Sequence, residues 1–405
     1  MKTLVINCGS SSIKYKLYEM PEERLLVKGV LEKIGEEVSV LKHQPGAETI
    51  RAELKVKNHS EGLQWIAQHL LDKEKGVVKR IEEIEAVGHR VVHGGEGFER
   101  SVRIDDDVVR RIEEYQDLAP LHNPPNLAGI RAARSLFPHA TQVAAFDTAF
   151  HTSIPQVCYL YAIPYELYEK HRVRRYGFHG TSHRYVARKA AELLGRGKYD
   201  INVITCHLGN GCSITAARNG HSVDTSMGLT PLEGLIMGTR SGDIDPGVIF
   251  YLADRLGYDL KQLNSLLNKE SGLLGVSGVS NDFRNLLDAA AKGNNRAALA
   301  IEMFCYRLKK YIGSYMAVLG ETHAIVFTGG IGENVPLVRE KSLDNMEKLG
   351  IEVDRARNSA TVGRQGEIST PDSPVKVLVI PTDEELRIAH DAYALANGAA
   401  SLSRG

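Results

Sequence analysis

The sequence predicts an α/β fold made of two similar halves. Two observations carry this. Segments with strand character alternate with segments of helical period along most of the chain, as layered α/β domains require. A unit of strand, Gly/Ser/Asn turn and returning strand also occurs at the N-terminus and again near the middle, as an internal duplication would leave it. A chain of 405 residues has room for two or three domains. Its 43% hydrophobic and 25% charged residues suit a packed globular protein, not a disordered one.

In order, Thr3–Ile6 is β-rich and runs into Asn7-Cys8-Gly9-Ser10-Ser11-Ser12, and Ile13–Leu17 returns as a second strand. Residues 60–71 place Leu63, Ile66, Ala67 and Leu70 on one helical face. Ala86–Val92 is a strand ending at His93-Gly94-Gly95. Asn123-Pro124-Pro125 reads as a cap and first-turn prolines of a helix through Ser135. Gln142–Phe146 is a strand stopped by Asp147. Ile201–Cys206, the turn His207–Gly211 and Cys212–Ala216 repeat the opening pattern. Ile301, Phe304, Cys305, Leu308, Ile312, Tyr315 and Leu319 keep a helical period, so Arg296–Leu319 is expected as a buried central helix. Ala324–Thr328 is a strand running into Gly329–Asn334, Val375–Ile380 a last strand and Asp383–Ala396 a last helix. With no Pro/Ser linker, domain boundaries are expected from topology, near residues 150 and 380.

Composition excludes several functions. Fifty basic residues balance 50 acidic ones, without the basic excess of a general nucleic-acid binder. No apolar run approaches the ~18–20 residues that cross a bilayer. MKTLVINCGSSSIKYKL turns polar too soon for a signal peptide and reads as a first strand. Five scattered cysteines without a CxxC point away from zinc and disulfides and toward a reducing, cytoplasmic location.

Three glycine-rich turns, Asn7–Ser12, His207–Gly211 and Gly329–Asn334, each follow a strand. Glycine lets backbone N–H groups approach an anion, and ligands sit at the carboxyl ends of strands in open α/β sheets. None matches GxxxxGK[ST] or GxGxxG, so neither a P-loop nor a dinucleotide fingerprint is present. Arg90, His179 and Arg240 stand in Gly-flanked loops. Each alone suits a surface or structural role. Together they suit a phosphoryl group in transfer, whose spread charge needs positioned cationic donors. Asp147 closes a strand, and Glu384 opens the last helix. Acidic residues favour helix N-termini in any case, but Glu384 could also contact Mg2+, directly or through water. Val92, Leu121, Phe178 and Pro231 adjoin these polar residues. They are ordinary core residues singly and a small dry pocket if they converge.

These residues resemble the acetokinase family. VINCGSSSIKY, YGFHGTSH, HLGNG, TSMGLTPLEGLIMGTRSGDIDPG, FTGGIGEN and IPTDEEL stand in the family's order over residues 3 to about 397. The resemblance implies the acetate and sugar kinase/Hsp70/actin superfamily: duplicated ribonuclease H-like (actin-like ATPase) domains with an interdomain active-site cleft. Residues 1–150 plus 381–405 would form the acetate- and phosphate-binding lobe, and 151–380 the nucleotide-binding lobe. It implies a homodimer that uses Mg2+ (with Mn2+ able to substitute) and transfers phosphoryl groups reversibly between ATP/ADP and acetate/acetyl phosphate. Neither nucleic acid nor membrane is an expected partner.

By the same resemblance, Asn7 and Glu384 are magnesium-associated. Ser10, Ser12 and Lys14 form the first phosphate motif. Arg90 faces the substrate carboxylate, and His122, His179 and Arg240 surround the transferred phosphoryl group. Asp147 takes the catalytic acid/base position. The nucleotide segments are His207, Leu208, Gly209, Asn210 and Gly211, then Asp282, Phe283 and Arg284, then Gly330, Ile331, Gly332, Glu333 and Asn334. Val92, Leu121, Phe178 and Pro231 receive the acetate methyl. Acetate is already an anion at neutral pH, so no general base is required and Asp147 is free to position Arg90 or a metal-bound water. The sibling propionate kinases share nearly all these motifs and tend to carry a smaller residue at position 92, so Val92 favours acetate over the alternative, propionate. A sugar kinase would need a roomier polar acceptor site, and a chaperone or filament module an appended domain.

Overall fold

The computed structural model describes residues 1–399, so residues 400–405 of the expected first lobe lie outside the described residues. The fourteen strands are β1 (Lys2–Cys8), β2 (Ser12–Glu19), β3 (Arg24–Glu32), β4 (Ser39–Pro45), β5 (Ile50–Leu54), β6 (Ile84–Val91), β7 (Val102–Arg103), β8 (Thr141–Phe146), β9 (Val203–Leu208), β10 (Cys212–Arg218), β11 (His221–Thr225), β12 (Ala324–Thr328), β13 (Gly366–Glu367) and β14 (Lys376–Val379). They form two sheets, ordered β5-β4-β3-β2-β1-β6-β8-β7 and β11-β10-β9-β12-β14-β13. The chain divides into two compact units, Met1–Thr152 with Asp383 onward, and Ser153–Thr382.

The expected duplication is visible in the pairing. From β3 to β7 in the first sheet the neighbours run antiparallel, antiparallel, parallel, parallel, antiparallel. From β11 to β13 in the second sheet the same five senses recur in the same order. The first unit adds β4 and β5 as an antiparallel extension.

In the first unit, Leu4, Ile6, Ile13, Leu17 and Leu31 pack with Leu63, Ile66 and Leu70 of the His59–Leu70 helix. Val5 and Ala145 pack with Ile388 and Ala389 of the Glu384–Ala396 helix. Residues 4, 5 and 6 of β1 are thus buried on both faces, which is why that strand reads as a continuous apolar run. β2 alternates instead, with Ile13, Tyr15 and Leu17 buried and Lys14 exposed.

The Asn295–Leu319 helix buries the periodic residues expected of it, but it is amphipathic, not wholly buried. Leu299 and Tyr306, outside that period, are 52% and 66% exposed. The cap reading at Asn123 is also corrected. His122 is the N-cap and makes no side-chain cap bond. The Asn123 amide instead accepts from His93 N and donates to His93 O, and that backbone contact lies thirty residues away.

His43, His89 and His93 are buried in the first unit. Burial pushes their imidazoles down to about 4, about 4 and about 3 respectively. An unfolded histidine takes its proton near 6.5. Below that pH the unfolded chain therefore binds protons that the folded unit refuses, and stability falls as pH drops from about 6.5 toward about 4. We expect a loss of about 1 kcal/mol per histidine per pH unit in that window. Urea unfolding at pH 7.5 and 5.5 measures it, and an unchanged midpoint would contradict the assignment.

Candidate functional site

The first unit gathers its candidates where strands end. Asn7 lies at the end of β1, opposite Lys14 in the ladder to β2. The turn between them is closed by Gly9 N donating to Ser12 O at 2.8 Å. Ser10 and Lys14 are exposed there, and Ser12 is half-buried. Asn126 fixes this turn to the neighbouring strand end: its amide donates to Cys8 O at 2.7 Å and accepts from Val92 N at 3.0 Å.

Arg90, next to last in β6, forks onto Asp147, which directly follows β8. Nε lies 3.0 and 3.1 Å from the two carboxylate oxygens, and Nη2 lies 2.6 Å from Oδ2. Glu384 Oε2 lies 3.8 Å from Arg90 Nε. Burial works against the Arg90 charge, but Asp147 and then Glu384 outweigh it and hold the guanidinium protonated. Burial likewise pushes the Glu384 carboxyl up to about 7, with Arg90 opposing and Asp147 adding to the rise.

A half-buried carboxyl whose nearest cation, Arg90, is already paired with Asp147 suits a further cation. Asn7 and Glu384 supply hard oxygen donors of the kind Mg2+ takes, with water and substrate oxygens completing its shell. Among the described residues no cluster of three His, Cys, Asp or Glu forms a closed metal cage. Asn7 and Glu384 are thus of the right chemistry to contribute to a Mg2+ site.

The second unit gathers the imidazoles and the other arginine. His179 has a left-handed backbone (φ 58°) directly before the Gly180–Leu193 helix. Its Nδ1 lies 2.9 Å from Ser213 Oγ, and its ring centroid lies 4.4 Å from that of His207. Ser213 in turn meets His183 Nε2 at 2.7 Å, and His183 Nδ1 meets Thr205 Oγ1 at 2.7 Å. Ser182 Oγ contacts His207 Nδ1 at 2.8 Å. Arg240 Nη1 donates to Pro231 O at 3.0 Å. A Cβ on Gly211 would stand 3.5 Å from both Arg240 Nη1 and His179 Cε1. Glycine thus leaves open the space that these two side chains share. Arg240 is half-buried, and burial lowers its guanidinium below the ordinary range. Among the described residues no carboxylate pairs with it. This contrasts with Arg90, whose charge Asp147 already neutralises.

The three segments expected to take the nucleotide meet at one end of the second sheet. His207 pairs with Thr328 across β9 and β12. Asn281 Nδ2 donates to Asn210 Oδ1 at 2.9 Å, which brings the segment before Asp282 to the His207–Gly211 turn. Gly329 has φ 77°, and a Cβ there would stand 2.8 Å from Leu208 O. No other residue fits that turn without strain. Gly330 is exposed with nothing near its Cβ position, while Ile331 and Gly332 are buried. Glu333 Oε1 accepts from Gly329 N at 2.7 Å and Thr382 N at 3.2 Å, so this carboxylate shapes the turn. Asn334 donates to Gly330 O. Arg284 is 86% exposed and pairs with Asp282 at 2.7 Å. That pairing holds the Asp282 carboxyl down at about 2. Phe283 is buried against Phe304.

Of the expected methyl pocket, Val92 and Leu121 belong to the first unit, and Phe178 and Pro231 to the second. Phe178 is buried and Val92 and Pro231 are half-buried, but Leu121 is 70% exposed. His122 is half-buried beside it. Sequence reasoning missed Asn126, Thr205 and Ser213, and it gave Asn123 and Ser182 no part in the site. All five act through partners distant in the chain.

Similarity to known proteins agrees with this geometry. Residues 2–390 match the model of the acetokinase family. An acetate kinase of Natranaerobius thermophilus is 54% identical over 396 residues, covering 98% of this chain and 99% of that one. The crystal structure of Porphyromonas gingivalis acetate kinase superposes with a TM-score of 0.95 at 50% identity, covering 97% of this chain and 99% of that one. A propionate kinase from Francisella tularensis gives a TM-score of 0.90 at 44% identity, covering 97% and 99%.

Proposed function

The chain belongs to the acetokinase family, and from that membership and its two sets of site residues we propose that it transfers a phosphoryl group reversibly between ATP and acetate. The observation that carries the reading is Arg240. It is a half-buried guanidinium with no acidic partner among the described residues, beside His179 and the open face of Gly211. Such a charge is stabilised by an anion arriving from solution, and a phosphoryl group spreads its charge over equatorial oxygens that suit this fork.

In this reading the acetate carboxylate meets Arg90, whose orientation Asp147 fixes, and its methyl meets Val92. Acetate is ionised at neutral pH, so Asp147 holds Arg90 and no proton has to be removed. His122, His179 and Arg240 steady the phosphoryl group as it passes in line from ATP to a carboxylate oxygen. The turns at His207–Gly211 and Gly330–Asn334, with Asp282–Arg284, take the nucleotide, and Ser10, Ser12 and Lys14 face its phosphates. Asn7 and Glu384 would hold Mg2+, which supplies charge neutralisation across the phosphate oxygens when bound.

Trapping of acyl phosphate with hydroxylamine, from ATP plus acetate, propionate or butyrate, tests the reading. One added methylene in an apolar pocket is worth about 1–3 kcal/mol. Acetate is expected to exceed propionate in kcat/KM by about 10–200-fold. Equal efficiencies would overturn the preference, and no hydroxamate from any acid would overturn the function.

A homodimer fits the surface of the second unit. Phe250 and Tyr251 on the Gly247–Leu256 helix are 68% and 62% exposed, Leu260 on the next helix is 84% exposed, and Tyr306 is 66% exposed. If these side chains lie in one patch they form an interaction surface, which makes them the candidates for the dimer contact. Light scattering after chromatography should give a dimer for the parent and a monomer for Phe250→Glu with Tyr306→Glu. A double variant that stays dimeric would move the interface elsewhere. A cytoplasmic location suits Cys8, Cys206, Cys212 and Cys305, buried thiols whose ionisation burial suppresses. Among the described residues no helix is long and apolar enough to cross a membrane.

A further inference from the structure

Residues 226–246 carry Pro231 and Arg240 yet contain no helix or strand. A stretch that long without regular structure is normally mobile or functional, and here it is held by side chains from elsewhere. At its centre, Glu233 Oε2 accepts from Tyr161 Oη at 2.6 Å and Oε1 accepts from Arg175 Nη2 at 2.6 Å. The other prong of Arg175 donates to the carbonyls of Thr225, Ser226 and Met227 at 3.1, 3.3 and 3.1 Å. Tyr161 Oη accepts in turn from Leu229 N at 2.9 Å.

Gly228 is the point over which this clamp closes. A Cβ there would stand 1.8 Å from Glu233 Oε2 and 2.2 Å from Tyr161 Oη. The Gly228 carbonyl accepts from Tyr176 N and Gly177 N at 3.1 and 3.2 Å, and the next two residues are Phe178 and His179. The far end of the stretch is held separately. Asp243 accepts from Gly234 N at 2.7 Å and from Tyr311 Oη at 2.7 Å.

We propose that Glu233, with Tyr161 and Arg175, is a positioning residue for phosphoryl transfer: its carboxylate seats the turn that carries Pro231, and through the Pro231 carbonyl it aims Arg240. This rests on the function proposed above. The chemistry of the clamp demands a carboxylate. Tyr161 has one proton to give while its oxygen already accepts from Leu229, and Arg175 needs an acceptor as well. A glutamine offers one acceptor oxygen and an NH2 group, so either Tyr161 or Arg175 faces an N–H, and Arg175 loses the carboxylate it is hydrogen-bonded to.

The test is a double-mutant cycle of Glu233→Gln with Arg240→Ala, reading acetyl phosphate formation and nucleotide dissociation constants. Glu233→Gln is expected to lower kcat by about 10–50-fold with ATP binding within about twofold of the parent. In the Arg240→Ala background the same change should cost less than about twofold, because the residue it acts through is gone. A full kcat in Glu233→Gln, the same fold-loss in both backgrounds, or a parallel loss of ATP binding would each overturn the proposal. Should Glu233→Gln not fold, Tyr161→Phe removes one hydroxyl only and is read in the same cycle, with a smaller loss expected and the same outcomes decisive. Parent enzyme is run alongside. If it makes no acyl phosphate, the functional reading falls and takes the proposal with it. If the parent is active and the cycle is additive, only the positioning role falls.

Discussion

Replacing Arg240 with alanine is expected to slow acetyl phosphate formation by about 10²–10³-fold while leaving nucleotide affinity nearly unchanged. The asymmetry follows from where its contacts lie. Its only side-chain oxygen partner in the described structure is the Pro231 carbonyl, and the turns assigned to the nucleotide are stabilised by other groups, such as Glu333 on Gly329 N. Removing the guanidinium therefore strips charge from the migrating group and little else. It also relieves a half-buried cation that has no counterion among the described residues, so the variant should be at least as stable as the parent. Steady-state kinetics, nucleotide titration and thermal unfolding of one preparation check the three statements together. A folded variant with near-parent turnover would contradict the first.

Asp147→Asn is expected to lower kcat/KM for acetate by on the order of 10²-fold, by loosening Arg90 from the geometry that a productive carboxylate needs. Asp147 is 1% exposed and both its oxygens receive Arg90. An asparagine keeps the shape but offers Arg90 one acceptor. The freed guanidinium then has Glu384 as its nearest carboxylate, 3.8 Å away, so a rise in the Mg2+ concentration needed for half-maximal rate should accompany the loss. Breaking a buried pair typically costs about 3–5 kcal/mol. Arg90 keeps 23% of its side-chain surface exposed, and solvent screening places the stability loss below that range. A variant that lost stability but kept the parent kcat/KM and Mg2+ requirement would reduce the pair to a structural role.

The parts of this site that the sequence displays are those set by local stereochemistry. The three glycine turns are legible by composition, and at Gly329 the reason is stereochemical, a positive φ with no room for a Cβ. The alternation of Ile13, Tyr15 and Leu17 against Lys14 reveals β2, and the helical period from Ile301 to Leu319 reveals the buried stripe of a long helix. Its exposed outer face was misread because the same period does not report what lies on the other side. The strands β3, β4 and β5 escaped notice, and β3 and β5 bury so few side chains that they lack the alternation that reveals β2. Most of the supporting polar residues are invisible for a simpler reason. Asn126 reaches back 118 residues to Cys8, and Tyr161 reaches forward 72 to Glu233. Contacts of that span leave no periodic trace.

The first unit is completed by the last stretch of the chain, and this bears on how the protein is made. Ile388 packs so close to Gly88 that a Cβ there would stand 2.5 Å from it, and with Ala389 it covers Val5 and Ala145. While the ribosome is still translating the second unit, that face of the first sheet has nothing to cover it. A nascent chain therefore carries a bare apolar surface for the time needed to add some 230 residues, at ~5–20 residues per second. The helix that finally shields it also carries Glu384, so cover for this face and the last candidate site residue of the unit arrive in the same folding event.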